Sequence, residues 1–130
     1  MVQDQLNILE ECGFPATRFI CIHSQAEPDF ELNLQAAQRG AWISYDGIGW
    51  GEDEPYIVRI KAMIAAGFGR QVILSHDRGW YTPAEPGGGV PKPFTYLSEV
   101  FLPKLRTAGA SEADIHRLTV SNPFRALARV

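Results

Sequence analysis

The chain lacks the features that would tie it to a membrane or a nucleic acid. No apolar stretch approaches the ~18 residues that span a bilayer, and the opening MVQDQLNILEE has no basic-then-apolar layout of a secretory signal. Lys and Arg number 12 against 15 Asp and Glu, a net charge of −3. With no basic cluster, nothing offers a polyphosphate backbone its usual counter-charge. Cysteine is scarce: Cys12 and Cys21 have neither CxxC spacing nor a disulfide-rich setting, so both are expected as free thiols. No basic neighbour is evident that would activate either one. No internal repeat or linker divides the chain. A cytoplasmic protein with no membrane or nucleic-acid partner is the expectation.

What is present is an ordinary globular composition. At 130 residues, 45% hydrophobic and 21% charged, the chain has room for one domain over residues 1–130 and enough apolar material to bury a core. Residues 4–12 carry Leu6, Ile8 and Leu9 among polar neighbours and stop at Gly13, which predicts a helix. The run 18–22 (RFICI) breaks off at His23 and reads as a strand buried on both faces. Residues 28–39 predict a helix closed by Gly40, followed by a second apolar run, 41–45 (AWISY), ending at Asp46-Gly47. The cycle repeats with a helix over 55–66, Gly67, and the run 71–75 (QVILS) ending at His76-Asp77.

Residues 78–93 hold four prolines and four glycines, which predicts a long surface loop. A helix resumes near Thr95 with Leu97, Phe101 and Leu105 at fourfold spacing, bent or divided by Pro103. Two C-terminal helices are expected, one capped by Ser111 with Asp114, the other by Asn122 ahead of Pro123. Apolar runs separated by helices are βα units, so the fold class is α/β with a parallel sheet. Its strand ends, His23, Asp46 and Asp77, should share the face where such folds do chemistry. Three strands are few, since a full eightfold barrel needs ~250 residues. The chain looks like part of one.

An aspartate closing a buried strand needs a metal, a cation or several donors, and a histidine there is a metal ligand by type. Both residue types also serve at such positions as caps or loop hydrogen-bonding groups. His76 should point away from Asp77 by strand alternation. Trp80, Tyr81, Phe94 and Tyr96 flank the long loop and offer an apolar pocket. Gly87-Gly88-Gly89 lacks the GK[ST] ending of a phosphate loop.

The run ILSHDRGW with its Gly/Pro-rich loop, FLPKLR and NPFRALA, together with the upstream strand-end His and SYDGIG, resembles the phosphotriesterase family of the amidohydrolase superfamily. The resemblance covers essentially the whole chain and aligns with the C-terminal three βα units, strands six to eight, of that family's (β/α)8 TIM barrel. It implies a hydrolase with two divalent metals, usually zinc, whose metal-bound hydroxide attacks a phosphotriester, lactone or related ester. By that match His23 is the strand-six metal ligand. Asp77 is the strand-eight ligand and the catalytic proton acceptor. Trp80 and Tyr81 are the expected substrate contacts. The family's HxH pair, bridging lysine and strand-five histidine have no counterpart here. Asp46-Gly47 replaces an Asp-His pair of paraoxon-hydrolysing members, and Ala26 stands where they carry an acid. The expected partners are a small ester and either a missing N-terminal half-barrel or a second copy. The alternative is an inactive truncated remnant.

Overall fold

A computed structural model describes residues 2–128. Helix α1 (Val2–Glu11) precedes strand β1 (Ile20–Cys21), helix α2 (Phe30–Gln38), strand β2 (Trp42–Tyr45), helix α3 (Glu54–Ala65) and strand β3 (Val72–Leu74). The strands form one parallel sheet in the order β1-β2-β3, with Ile20 beside Trp42 and Ile43 beside Val72. The α/β class and parallel sheet expected from the alternation are therefore present. All four β2 residues and all three of β3 are buried, as a sheet covered by helices requires. Ile43, Tyr45, Ile60, Met63, Val72 and Leu105 lie at the centre of the core.

The first apolar run, 18–22, contributes only two residues to the ladder. A 3-10 turn over Ala16–Arg18 occupies its start, and His23 turns left-handed two residues after Cys21. Asp29 caps α2 by accepting from the Glu31 N–H, which sets the helix start later than residue 28.

Beyond the long loop the chain is helical in a broken way. A π-helical turn at Leu97–Phe101 runs into α4 (Leu102–Thr107), and α5 (Glu112–His116) runs through a second one, Arg117–Ser121, into α6 (Asn122–Leu127). Each π turn ends just before a proline, Pro103 or Pro123. A proline lacks the N–H and its ring excludes the carbonyl four residues back. The ladder steps to five instead: Leu102 N–H donates to the Leu97 carbonyl and Asn122 N–H to that of Arg117.

The expected capping box at Ser111 and Asp114 is present. Asn122 corrects its expectation. It lies inside the helical run, and its buried amide donates sideways to the Gly69 and Val72 carbonyls at 2.8 and 2.7 Å, so it fastens the closing helix to the start of β3 instead of capping a helix.

Candidate functional site

The sheet's three carboxyl ends lead into three loops, and the middle one holds the anchor. Asp46 follows β2 and is buried. Its Oδ1 accepts from His23 Nδ1 at 2.8 Å and Gln25 Nε2 at 2.9 Å, while Oδ2 accepts from the His23 backbone N–H at 2.9 Å and Ser44 Oγ at 3.3 Å. A carboxylate offers no proton, so Nδ1 must carry one, and Nε2 is the ring nitrogen left for other partners. The hydrogen bond to Asp46 raises the His23 pKa, Asp46's charge adds to it, and Asp77's charge contributes a further upward push. Burial alone would raise the Asp46 pKa. Hydrogen bonds from the His23 backbone, Gln25 and the His23 ring outweigh it and hold the carboxyl below its ordinary range.

His23 and Asp77 share a backbone peculiarity. They are the two non-glycine residues at positive φ among those described, at 54° and 43°. That region is sparsely used outside glycine, and side chains held there cluster at functional sites. For His23 the left-handed turn brings both its N–H and its ring onto Asp46. Asp77's charge reaches His23 from the end of β3.

After β3 the loop folds back on its own backbone. The His76 carbonyl accepts from Trp50 Nε1 at 2.7 Å, and that of Asp77 from Trp80 Nε1 at 2.9 Å. The His76 ring sits edge-on to Phe94, with centroids 5.4 Å apart. Trp80, 65% exposed, lines a cavity of about 300 Å³ shared with Trp50, Arg78, Lys92 and Phe94. Tyr81, 70% exposed, does not line it and lies against Gly88. Tyr96 instead donates to Asp53 Oδ2 at 2.9 Å, beside Lys104 at 2.6 Å.

Trp50 escaped the sequence reading although it joins the loop after β2 to the loop after β3. Arg78 Cζ stands 5.3 Å and Lys92 Nζ 3.6 Å from the centre of its ring. Gly47, next to Asp46, has no room for a side chain. A Cβ at Gly47 would lie 2.5 Å from the Tyr56 hydroxyl and 2.8 Å from Gln25 Nε2, the amide that holds Asp46.

The donor types suit a divalent metal: an imidazole with its second nitrogen fixed by a carboxylate, and an aspartate whose charge reaches it. Their number does not. Among the described residues no group of three or more His, Cys, Asp or Glu side chains could hold an ion.

A model of the phosphotriesterase family matches residues 1–127. The chain is 28% identical over 123 residues to a phosphotriesterase homology protein of Escherichia coli (strain K12), covering 92% of this chain and 41% of that one. The crystal structure of an Escherichia coli phosphotriesterase homology protein, with phosphate in its active site, matches with a TM-score of 0.81 at 28% identity. That match covers 93% of this chain and 42% of the other. The phosphotriesterase from Mycobacterium tuberculosis, 23% identical, shares the fold with a TM-score of 0.84 over 98% of this chain and 42% of its own. The chain therefore spans well under half the length of these relatives. No helix of the described residues is long and apolar enough to cross a membrane.

Proposed function

Because the chain belongs to the phosphotriesterase family, we propose that residues 1–130 are one partial domain, the sixth to eighth βα units of a (β/α)8 hydrolase. In this reading the enzyme acts on a phosphotriester, lactone or related ester. The observation that carries it is a shared position: His23 and Asp77, the two non-glycine residues at positive φ among those described, follow β1 and β3 of one parallel sheet, and Asp46 after β2 pins the His23 ring through Nδ1.

His23 and Asp77 would be the chain's share of a two-metal centre, with zinc the first metal to test. Such metals activate water near neutral pH and polarise the scissile oxygen. The residues here do not make that centre alone, so the remaining donors must come from a preceding segment or another chain. Within this chain, Asp46 holds the His23 ring in one tautomer and orientation. Asp77 takes up a proton at its carboxylate, and Gly47 supplies no imidazole to pass it on. Trp80 offers apolar surface to the leaving group. Tyr81 would have to approach from outside the cavity.

A second reading is a non-catalytic remnant, favoured by the lack of any three-residue metal group among the described residues. Zinc titration of the purified chain, with turnover of diethyl 4-nitrophenyl phosphate and δ-valerolactone, separates the two. Zinc-dependent hydrolysis lost in His23→Asn and Asp77→Asn supports the enzyme. A folded chain that turns over neither ester at saturating zinc, alone or mixed with an N-terminal segment that supplies the missing donors, supports the remnant.

A further inference from the structure

The loop after β3 holds a cavity whose charge runs against that of the molecule. The chain carries −3 overall, yet the titratable groups on the cavity wall are Arg78, Lys92 and the single carboxylate Glu85. We propose that this cavity binds an organic anion bearing a flat apolar group, with Arg78 and Lys92 taking the charge and Trp50, Trp80 and Phe94 the apolar part.

At about 300 Å³ the space stands at the lower end of small-molecule sites, which pair mostly apolar walls with a few polar anchors. Trp50 gathers the two cations, with Lys92 Nζ 3.6 Å and Arg78 Cζ 5.3 Å from its ring centre. An indole face attracts a cation, so packing on Trp50 explains either one. It gives no reason for both together, because their mutual repulsion opposes the arrangement. Arg78 is moreover incompletely used. Its Nη2 donates to the Gly49 carbonyl at 2.9 Å and its Cζ lies 5.5 Å from the Tyr96 ring centre, while its buried Nε has no hydrogen-bond partner among the described residues. A guanidinium held in place by the Gly49 carbonyl and the Tyr96 ring is oriented in advance for a carboxylate or a similar planar or tetrahedral anion.

Arg78 directly follows Asp77 in the chain, so the cavity wall starts one residue beyond that strand-end carboxylate. The consequence for substrate class rests on the hydrolase reading above: the ester would carry a negative charge, unlike a neutral phosphotriester. The binding site itself does not depend on that reading.

The probes are phenylacetate and its uncharged counterpart phenylacetamide, each titrated into the full chain in the presence of EDTA. The Trp50 indole N–H resonance reports binding. Phenylacetate is expected to bind about tenfold more tightly than phenylacetamide, and Arg78→Gln and Lys92→Gln each to remove most of that difference. Lys92 is exposed, so its variant decides the matter if the Arg78 variant fails to fold. Equal affinity for the two probes, no change in Lys92→Gln, or no shift with either probe in the folded chain overturns the proposal. Neither metal nor turnover enters this measurement, so its failure and a failure of ester hydrolysis are read separately.

Discussion

Asp46 gathers a ring nitrogen, a backbone N–H and an amide, and each contact has a price in proton affinity. His23, with its pKa raised by Asp46, adds stability that is complete below its ordinary imidazole value and fades as pH rises through the raised one. Asp46, with its pKa lowered, adds stability that is complete above the ordinary carboxylate value and fades as pH falls through the lowered one. The pair is therefore fully formed between the ordinary carboxylate and imidazole ranges. In Asp46→Asn the His23 pKa should fall toward an ordinary imidazole, read by NMR titration of the ring, and an unchanged value would contradict the assignment. Gly49 makes a second prediction. It sits at φ 82°, and a Cβ there would lie 2.5 Å from Arg78 Nη2 and 2.6 Å from the Tyr96 ring. Gly49→Ala should lose about 1–3 kcal/mol in chemical denaturation through backbone strain and crowding, while full stability would mean that the loop can move aside. His23 and Asp77, whose role as ligands is proposed, were visible in the sequence as strand-end residues because each follows an apolar run. Trp50 and Arg78 were not, since their contact depends on how two distant loops fold, and the only local hint was a tryptophan between glycines after the second strand.

The closing helix shows where element-level patterns mislead. Asn-Pro reads as a cap and first helical residue, yet Asn122 is buried and bonded to the backbone at the start of β3. A pattern along one helix cannot register a partner 50 residues away. The prolines were better guides: Pro103 was expected to bend or divide its helix, and each proline is preceded by a π turn where the hydrogen-bond ladder skips a residue. Asn122→Ala strips the Gly69 and Val72 carbonyls of their side-chain donor and should cost about 1–3 kcal/mol, the usual penalty for unsatisfied buried polar groups. Urea denaturation measures it, and a loss within error of zero would show that the amide only fills space. The βα cadence was legible because buried parallel strands and helices ending at glycine leave strong marks. The length of β1 was not, since hydrophobicity alone does not separate the 3-10 turn at Ala16–Arg18 from the strand that follows it.

For the molecule as a whole, the sheet's two outer strands dominate the expected behaviour. β1 and β3 pair only with β2 among the described residues, and Ile22, Val90 and Phe124 are exposed apolar residues. Unpaired edges and apolar surface invite association, so sedimentation should show the chain self-associating as its concentration rises, and a strict monomer would contradict this. The family could be recognised from short runs such as SHD and NPF, because the family match extends along residues 1–127. A two-metal centre could not be read whole, because most of the donors that the resemblance implies have no counterpart in this sequence. The central claim is that His23 and Asp77 face one common ion position, and cobalt(II) titration followed by NMR tests it most directly because paramagnetic broadening reports even weak binding. The His23 ring and Asp77 signals should broaden together at the lowest cobalt, and the Asp77 signals should recover in His23→Asn. Broadening of one without the other, or broadening centred on His116, would contradict it.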